Sequence, residues 1–174
     1  TVARDSAVPM STVKEYFSIL EDTLLGDFLW PWDRSERKKA RPKFYFFDCG
    51  VVRALQNRLI DPPTPQEKGF LFETFFYNEL KRLRDYHEKP YELSFWREGK
   101  HEIDIFVKGP RGPIMAFECK TSSETISDAT LTVFRKRFPK LPLFVASSKD
   151  IHPRKLDNGV IVLPWRNAVD TFFG

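Results

Sequence analysis

Apolar positions recur along the chain with two different periods, and the switches between them mark out its elements. Val13, Phe17, Leu20 and Leu24 fall at spacings of four, three and four, one face of a helix. Ser11 is the expected cap, and the helical reading runs on to about Trp32. The stretch before it, Thr1–Pro9, reads as the end of an element begun upstream, and a chain that opens without Met reads as a piece of a longer protein. Lys43–Phe47 (KFYFF) predicts a short buried strand, after which Asp48-Cys49-Gly50 turns the chain into a short helix near Val51–Arg58. The rigid run Asp61–Pro65 (DPPTP) is the expected boundary between residues 1–60 and residues 66–174.

Beyond that break, Phe72, Phe76, Leu80 and Leu83, widened by Phe75, predict one long helix over Gln66–His87. Lys81, Arg82 and Arg84 crowd its last part, where positive charge complements the helix dipole. Three strands follow, Tyr91–Arg97, His101–Val107 and Pro113–Lys120, separated by the short turns Glu98-Gly99-Lys100 and Gly109–Gly112, so an antiparallel meander is expected. A helix over Ser127–Arg137, strands at Leu141–Ala146 and Asn158–Leu163, and a last helix opened by Pro164 and running through Phe173 complete the chain. The order from Gln66 is α-β-β-β-α-β-β-α, which predicts the α/β class.

Composition narrows the setting. In 174 residues, a hydrophobic share of 41% and a charged share of 30% fit a folded domain that builds its own core. No apolar run approaches the roughly 20 residues of a membrane span, and no signal peptide opens the chain. Cys49 and Cys119 are too few for a disulfide framework or a four-cysteine zinc site, and a reducing cytoplasm is the expected compartment. Aromatic residues make up 15% of the chain and are expected mainly in the core. A net charge of +4 permits a polyanionic partner.

The candidate chemistry lies in the second and third strands of the meander. Alternation puts Glu102 and Asp104 on one face and Ile103, Ile105 and Val107 on the other; in the next strand it puts Ala116, Glu118 and Lys120 on one face and Met115, Phe117 and Cys119 on the other. Adjacent strands can thus present Asp104, Glu118 and Lys120 on one side of a sheet. Paired carboxylates hold a hard divalent ion such as Mg²⁺, which keeps waters and takes substrate phosphate oxygens. A neighbouring ammonium can orient a water or neutralise developing negative charge. The bland alternative is a cross-strand ion pair at an exposed sheet end. Glu-x-Lys alone carries little, since Glu36-Arg37-Lys38 and Glu98-Gly99-Lys100 repeat it in polar turns. The Glu118-Cys119-Lys120 copy differs because it ends an apolar strand and follows an acid on another.

Asp104 followed by Glu118-x-Lys120, in a meander behind a helix carrying Glu73, resembles the PD-(D/E)XK nuclease superfamily. The resemblance implies a restriction-endonuclease-like αβββαβ core with a mixed central sheet. It implies metal binding by Asp104 and Glu118, catalysis by Lys120, assistance from Glu73 and a Mg²⁺ or Mn²⁺ cofactor, with Glu102 as an auxiliary acid. Ile103 stands where many members carry a proline before the aspartate. Five ordered segments, Ser11–Leu25, Pro42–Gly50, Gly69–Leu80, Phe95–Phe106 and Phe117–Ser122, further resemble the C-terminal domain of prokaryotic P-loop (AAA+-type) ATPases. This implies a winged-helix-like piece over residues 1–60, a nuclease-like domain over 66–174 and an upstream ATPase domain as partner. The chain itself has no G-x-x-x-x-G-K-[ST] loop.

Two functional readings follow from the residues and the resemblance. One is a Mg²⁺-dependent nuclease-like domain acting on DNA. The other is a non-catalytic DNA- or protein-binding accessory module of the ATPase, motivated by the basic run Arg34, Arg37, Lys38, Lys39 and Arg41. His87, His101 and His152 show no metal-ligand spacing, and Trp96 is expected in the core, with Arg97 at a possible groove.

Overall fold

Local signals set where the elements begin. In the computed structural model, which describes residues 7–33, 35, 41–123 and 125–174, Thr64 starts the longest helix, α3 (Pro65–Tyr86; α1 and α2 are given below), with a capping box. The Glu67 amide donates to the Thr64 hydroxyl at 3.3 Å, and the Thr64 amide donates back to the Glu67 carboxylate at 2.8 Å. Ser127 likewise caps α4 (Asp128–Arg137), and Asp48 caps the short α2 (Cys49–Leu55) by accepting from Gly50 and Val51. The last helix, α5, spans Trp165–Phe173.

The N-terminal part departs from the expectation of one helix to Trp32. Helix α1 covers Met10–Asp22, is preceded by Pro9 with no side-chain cap, and contains Ser11 within its first turn. Leu24 takes a positive φ of 61°, the Leu25 amide donates back to the Leu20 carbonyl at 2.8 Å, and the chain turns into a strand, β1 (Gly26–Leu29). Only glycine fits at position 26, because a Cβ there would lie 2.5 Å from the Phe44 ring and 2.7 Å from the Tyr45 carbonyl. Strand β1 pairs antiparallel with β2 (Lys43–Phe46), Gly26 opposite Phe46 and Leu29 opposite Lys43. The basic run at Arg34, Arg37, Lys38 and Lys39, the Glu36-Arg37-Lys38 turn and the first six residues lie outside the described residues; Arg41 is exposed.

The remaining strands are β3 (Glu92–Glu98), β4 (His101–Gly109), β5 (Gly112–Lys120), β6 (Leu143–Ser147), β7 (Arg154–Lys155) and β8 (Ile161–Pro164). They form one mixed six-stranded sheet in the order β3-β4-β5-β6-β8-β7, with β3–β4–β5 antiparallel as expected and β5–β6 and β6–β8 parallel. The two-residue β7, which pairs with β8 at the edge, is too short to read as a hydrophobic period. With the five helices of the described residues, the chain is an α/β protein.

Two cores flank the sheet. On one face, Phe72, Phe76, Tyr77 and Leu80 of α3 and Ala168 and Phe172 of α5 pack on Ile105, Val107, Phe117 and Leu163. On the other, Leu131 and Phe134 of α4 pack on Trp96, Ile103, Phe106, Ala116 and Val145. Leu29 and Tyr45 belong to the α3-side core although they precede Asp61–Pro65. The chain after β1 is also stitched to the sheet edge: the Phe95 amide donates to the Trp30 carbonyl at 3.1 Å, and the Trp32 amide to the Phe95 carbonyl at 2.9 Å. Among the described residues, no helix is long and apolar enough to cross a membrane.

Candidate active site

An extra residue in β4 shapes the site. Ser94 pairs with Phe106 and Trp96 with Ile103, so two steps along β3 span three along β4, and Asp104 and Ile105 together oppose Phe95. The bulge breaks the simple alternation. Ile103 lies in the α4-side core, whereas Ile105 and Val107 lie in the α3-side core. The expectation that Ile103, Ile105 and Val107 share one face is therefore corrected.

Pairing of β4 with β5 starts at Ile105 and Phe117, so the strands separate next to Asp104. The Asp104 carboxylate bridges this fork. Its Oδ2 accepts from the Cys119 amide at 3.0 Å, and its Oδ1 accepts from the Lys43 ammonium at 3.1 Å. Glu118 lies between Phe117 and Cys119, which pack toward α3, and so projects to the opposite face of β5, that of Ala116. One flat face carrying all three groups, as alternation predicts, is replaced by a fork with Asp104 at its centre.

Around Asp104 the cluster has two sides. On the first, Lys43 of β2 places its Nζ 2.6 Å from Glu73 Oε1, 2.7 Å from Glu102 Oε1 and 3.1 Å from Asp104 Oδ1. The buried Tyr45 hydroxyl donates to the same Glu73 oxygen, and Arg97 donates to Glu102 Oε2 through Nε at 2.6 Å. On the second side, Lys120 Nζ lies 2.9 Å from Glu118 Oε1, and Glu118 Oε2 is buried with no hydrogen-bond partner.

The electrostatics follow this division. Burial pulls the Lys43 pKa down, but Asp104, Glu73 and Glu102 outweigh it and hold the amine charged. Glu73 is raised above the ordinary carboxylate value by burial and by Asp104, against the pull of Lys43 and Tyr45. Glu118 is pushed up to about 8, first by burial and then by the Asp104 charge, with Lys120 and Lys43 opposing. Asp104 thus acts on both Glu73 and Glu118. The Cys119 thiol is half-buried against the α3-side core and raised well above its usual value by desolvation and the neighbouring acids, so it is a poor nucleophile.

All five acid and lysine residues singled out in the sequence, Glu73, Glu102, Asp104, Glu118 and Lys120, lie in or beside this cluster. Glu73 faces Lys43 and Tyr45, and Glu102 is held between Lys43 and Arg97. Trp96 is core, packed edge-on to Phe134 at 5.1 Å, and His101 Nδ1 lies 3.0 Å from the Thr130 hydroxyl. Lys43 and Tyr45 are the residues that sequence reasoning missed. The signal was present: they share a face of the KFYFF strand, and an amine on a buried aromatic strand requires counter-charges.

The donor set can be tested against a divalent ion. Among the described residues, no three His, Cys, Asp or Glu side chains form a metal-holding group. Mg²⁺, however, commonly uses one or two carboxylates with water and phosphate completing its shell. The buried, unpartnered Glu118 Oε2, with the Asp104 charge acting on Glu118, fits that smaller demand.

A family model described as Domain of unknown function (DUF4143) matches residues 68–168, and one described as Domain of unknown function (DUF8612) matches residues 1–61. The acids and Lys120 lie in the first match, and Lys43 and Tyr45 in the second. No curated protein and no solved structure matches the chain.

Proposed function

We propose that the chain, which belongs to the family described as Domain of unknown function (DUF4143), is a nuclease-like module of the PD-(D/E)XK type that hydrolyses phosphodiester bonds in DNA with Mg²⁺ or Mn²⁺. The observation that carries this reading is the buried Glu118 Oε2 without a partner, on an acid that feels Asp104 and pairs with Lys120. Well-packed proteins rarely leave such an oxygen unmatched, and a bound ion or a catalytic role is among the reasons they do. Further support comes from the order α3-β3-β4-β5-α4-β6 with a mixed sheet, which agrees with an αβββαβ core.

Asp104 and Glu118 would hold the ion. When bound, it supplies Lewis acidity toward a phosphate oxygen and a lowered pKa for a coordinated water. Lys120 would donate to a non-bridging phosphate oxygen, where negative charge grows in the transition state. The Cys119 amide fixes the Asp104 carboxylate through Oδ2, and Glu73 fixes Lys43. By its resemblance to ATPase C-terminal domains, the module would act beside an upstream nucleotide-binding domain in the cytoplasm.

The test is incubation with supercoiled plasmid and linear single-stranded DNA in Mg²⁺ or Mn²⁺. The expected result is cleavage abolished by EDTA, and reduced at least about a hundredfold in Glu118→Gln and in Lys120→Ala, the scale of losing an electrostatic stabiliser. Cleavage unchanged in both variants, or none with either ion, contradicts the proposal.

A further inference from the structure

Lys43 is the cation around which one side of the acid cluster is built. Its ammonium contacts carboxylates from two elements, Glu73 on α3 and Glu102 and Asp104 on β4, at 2.6, 2.7 and 3.1 Å. The ammonium donates to Glu73 and Asp104 and is ion-paired with Glu102, so three carboxylates surround its three N–H groups. Such an arrangement replaces water around a charge with fixed acceptors, as a multivalent metal site does. The lysine comes from β2, within the 1–61 match, whereas the acids come from the 68–168 match.

Charge arithmetic sharpens the point. Glu73, Glu102 and Asp104 face Lys43 and Arg97, which leaves about one net negative charge on this side with all of them ionised. Without Lys43 about two would remain, the charge of one divalent ion. Two-metal hydrolases place a second ion roughly 4 Å from the first. We infer that Lys43 is the built-in second cation of this site: it fills the place among Glu73, Glu102 and Asp104 that a second divalent ion would take. The site therefore uses one metal ion, and Glu73 is a positioning residue for Lys43 instead of a metal ligand. The one-ion part of this statement rests on the function proposed above; the occupancy by Lys43 does not.

The experiment is Mn²⁺ titration by calorimetry and electron paramagnetic resonance on the full chain, comparing the parent with Lys43→Met. The expected result is one additional Mn²⁺ per chain in the variant, lost again when Glu73→Gln is added. An unchanged Mn²⁺ stoichiometry in folded Lys43→Met overturns the inference, as does a parent that binds two ions. A parent that binds none while Lys43→Met binds one leaves Lys43 as the cation and defeats the proposed metal-dependent function. Should Lys43→Met fail to fold, Lys43→Met/Glu102→Gln carries one negative charge fewer and keeps Glu73 and Asp104. It should then gain one ion over Glu102→Gln alone, and no gain overturns the inference.

Discussion

The two sides of the acid cluster solve the same physical problem in opposite ways. On the Lys43 side, Glu73 Oε1 meets both Lys43 and Tyr45, and the two oxygens of Glu102 meet Lys43 and Arg97. On the Glu118 side, one oxygen meets Lys120 and the other is buried with nothing opposite. Acids matched within the chain hold structure, and on the proposed function the mismatched one is where an ion would bind. On the proposed function the cluster is half scaffold and half site, with Asp104 shared between them.

The strongest way to break this comparison is to remove the cation from the matched side. Lys43→Met leaves three acids around a vacant centre and should destabilise the fold by about 3 kcal/mol or more in urea unfolding. A loss below about 1 kcal/mol would mean that the lysine is a peripheral pair.

The next effect has the opposite sign and comes from the mismatched side. The Glu118 pKa is raised from 4.5 to about 8 in the fold, so between those values the folded chain binds a proton that the unfolded chain has released. Its contribution to stability is present below pH 4.5 and is lost as pH rises toward 8. Glu118→Gln, which is neutral at every pH, should unfold at higher urea than the parent at pH 8, by on the order of 4 kcal/mol, and match it near pH 4.5. A parent whose stability rises between pH 5 and 8 relative to the variant would reverse the assignment of strain to Glu118.

Two smaller changes sharpen the contrast. Tyr45→Phe removes the hydroxyl from Glu73 but leaves Lys43 on the same oxygen, so the loss should be about 1.5 kcal/mol, the low end for a hydrogen bond to a charged group. Arg97→Ala removes a pair whose arginine side chain is 37% exposed, and a double-mutant cycle with Glu102→Gln should give a coupling below about 1 kcal/mol. If the Arg97 coupling exceeds that of Tyr45 with Glu73, the matched side is anchored at its rim and not at its centre.

Much of this architecture was legible because it is local. The stripe Phe72, Phe76, Leu80 announces α3, Ser127 announces α4, and the meander turns are short and polar. Alternation brought out Asp104, Glu118 and Lys120 as one group, although it assigned them a common face that the β4 bulge replaces with a fork. No residue pattern marks that bulge; it follows from the pairing of β4 with β3. Lys43 escaped for a related reason. Its partners lie 30 and 61 residues away, at Glu73 and Asp104, and long-range attachments bring it there: β1 leads into the Trp30–Trp32 link with Phe95, and β2 is held to α3 by the Asn78 bond to the Phe46 carbonyl. The helix expected through Trp32 failed at Leu24, where a turn wins over the apolar period.

The division of the cluster can be read most directly from the side-chain carboxyl carbons. In a ¹³C-detected NMR titration of the parent chain with Mg²⁺, the Glu118 and Asp104 carboxyl signals should shift together and saturate, while those of Glu73 and Glu102 stay near their starting positions. Saturable shifts of Glu73 and Glu102 with Glu118 unmoved would contradict the account.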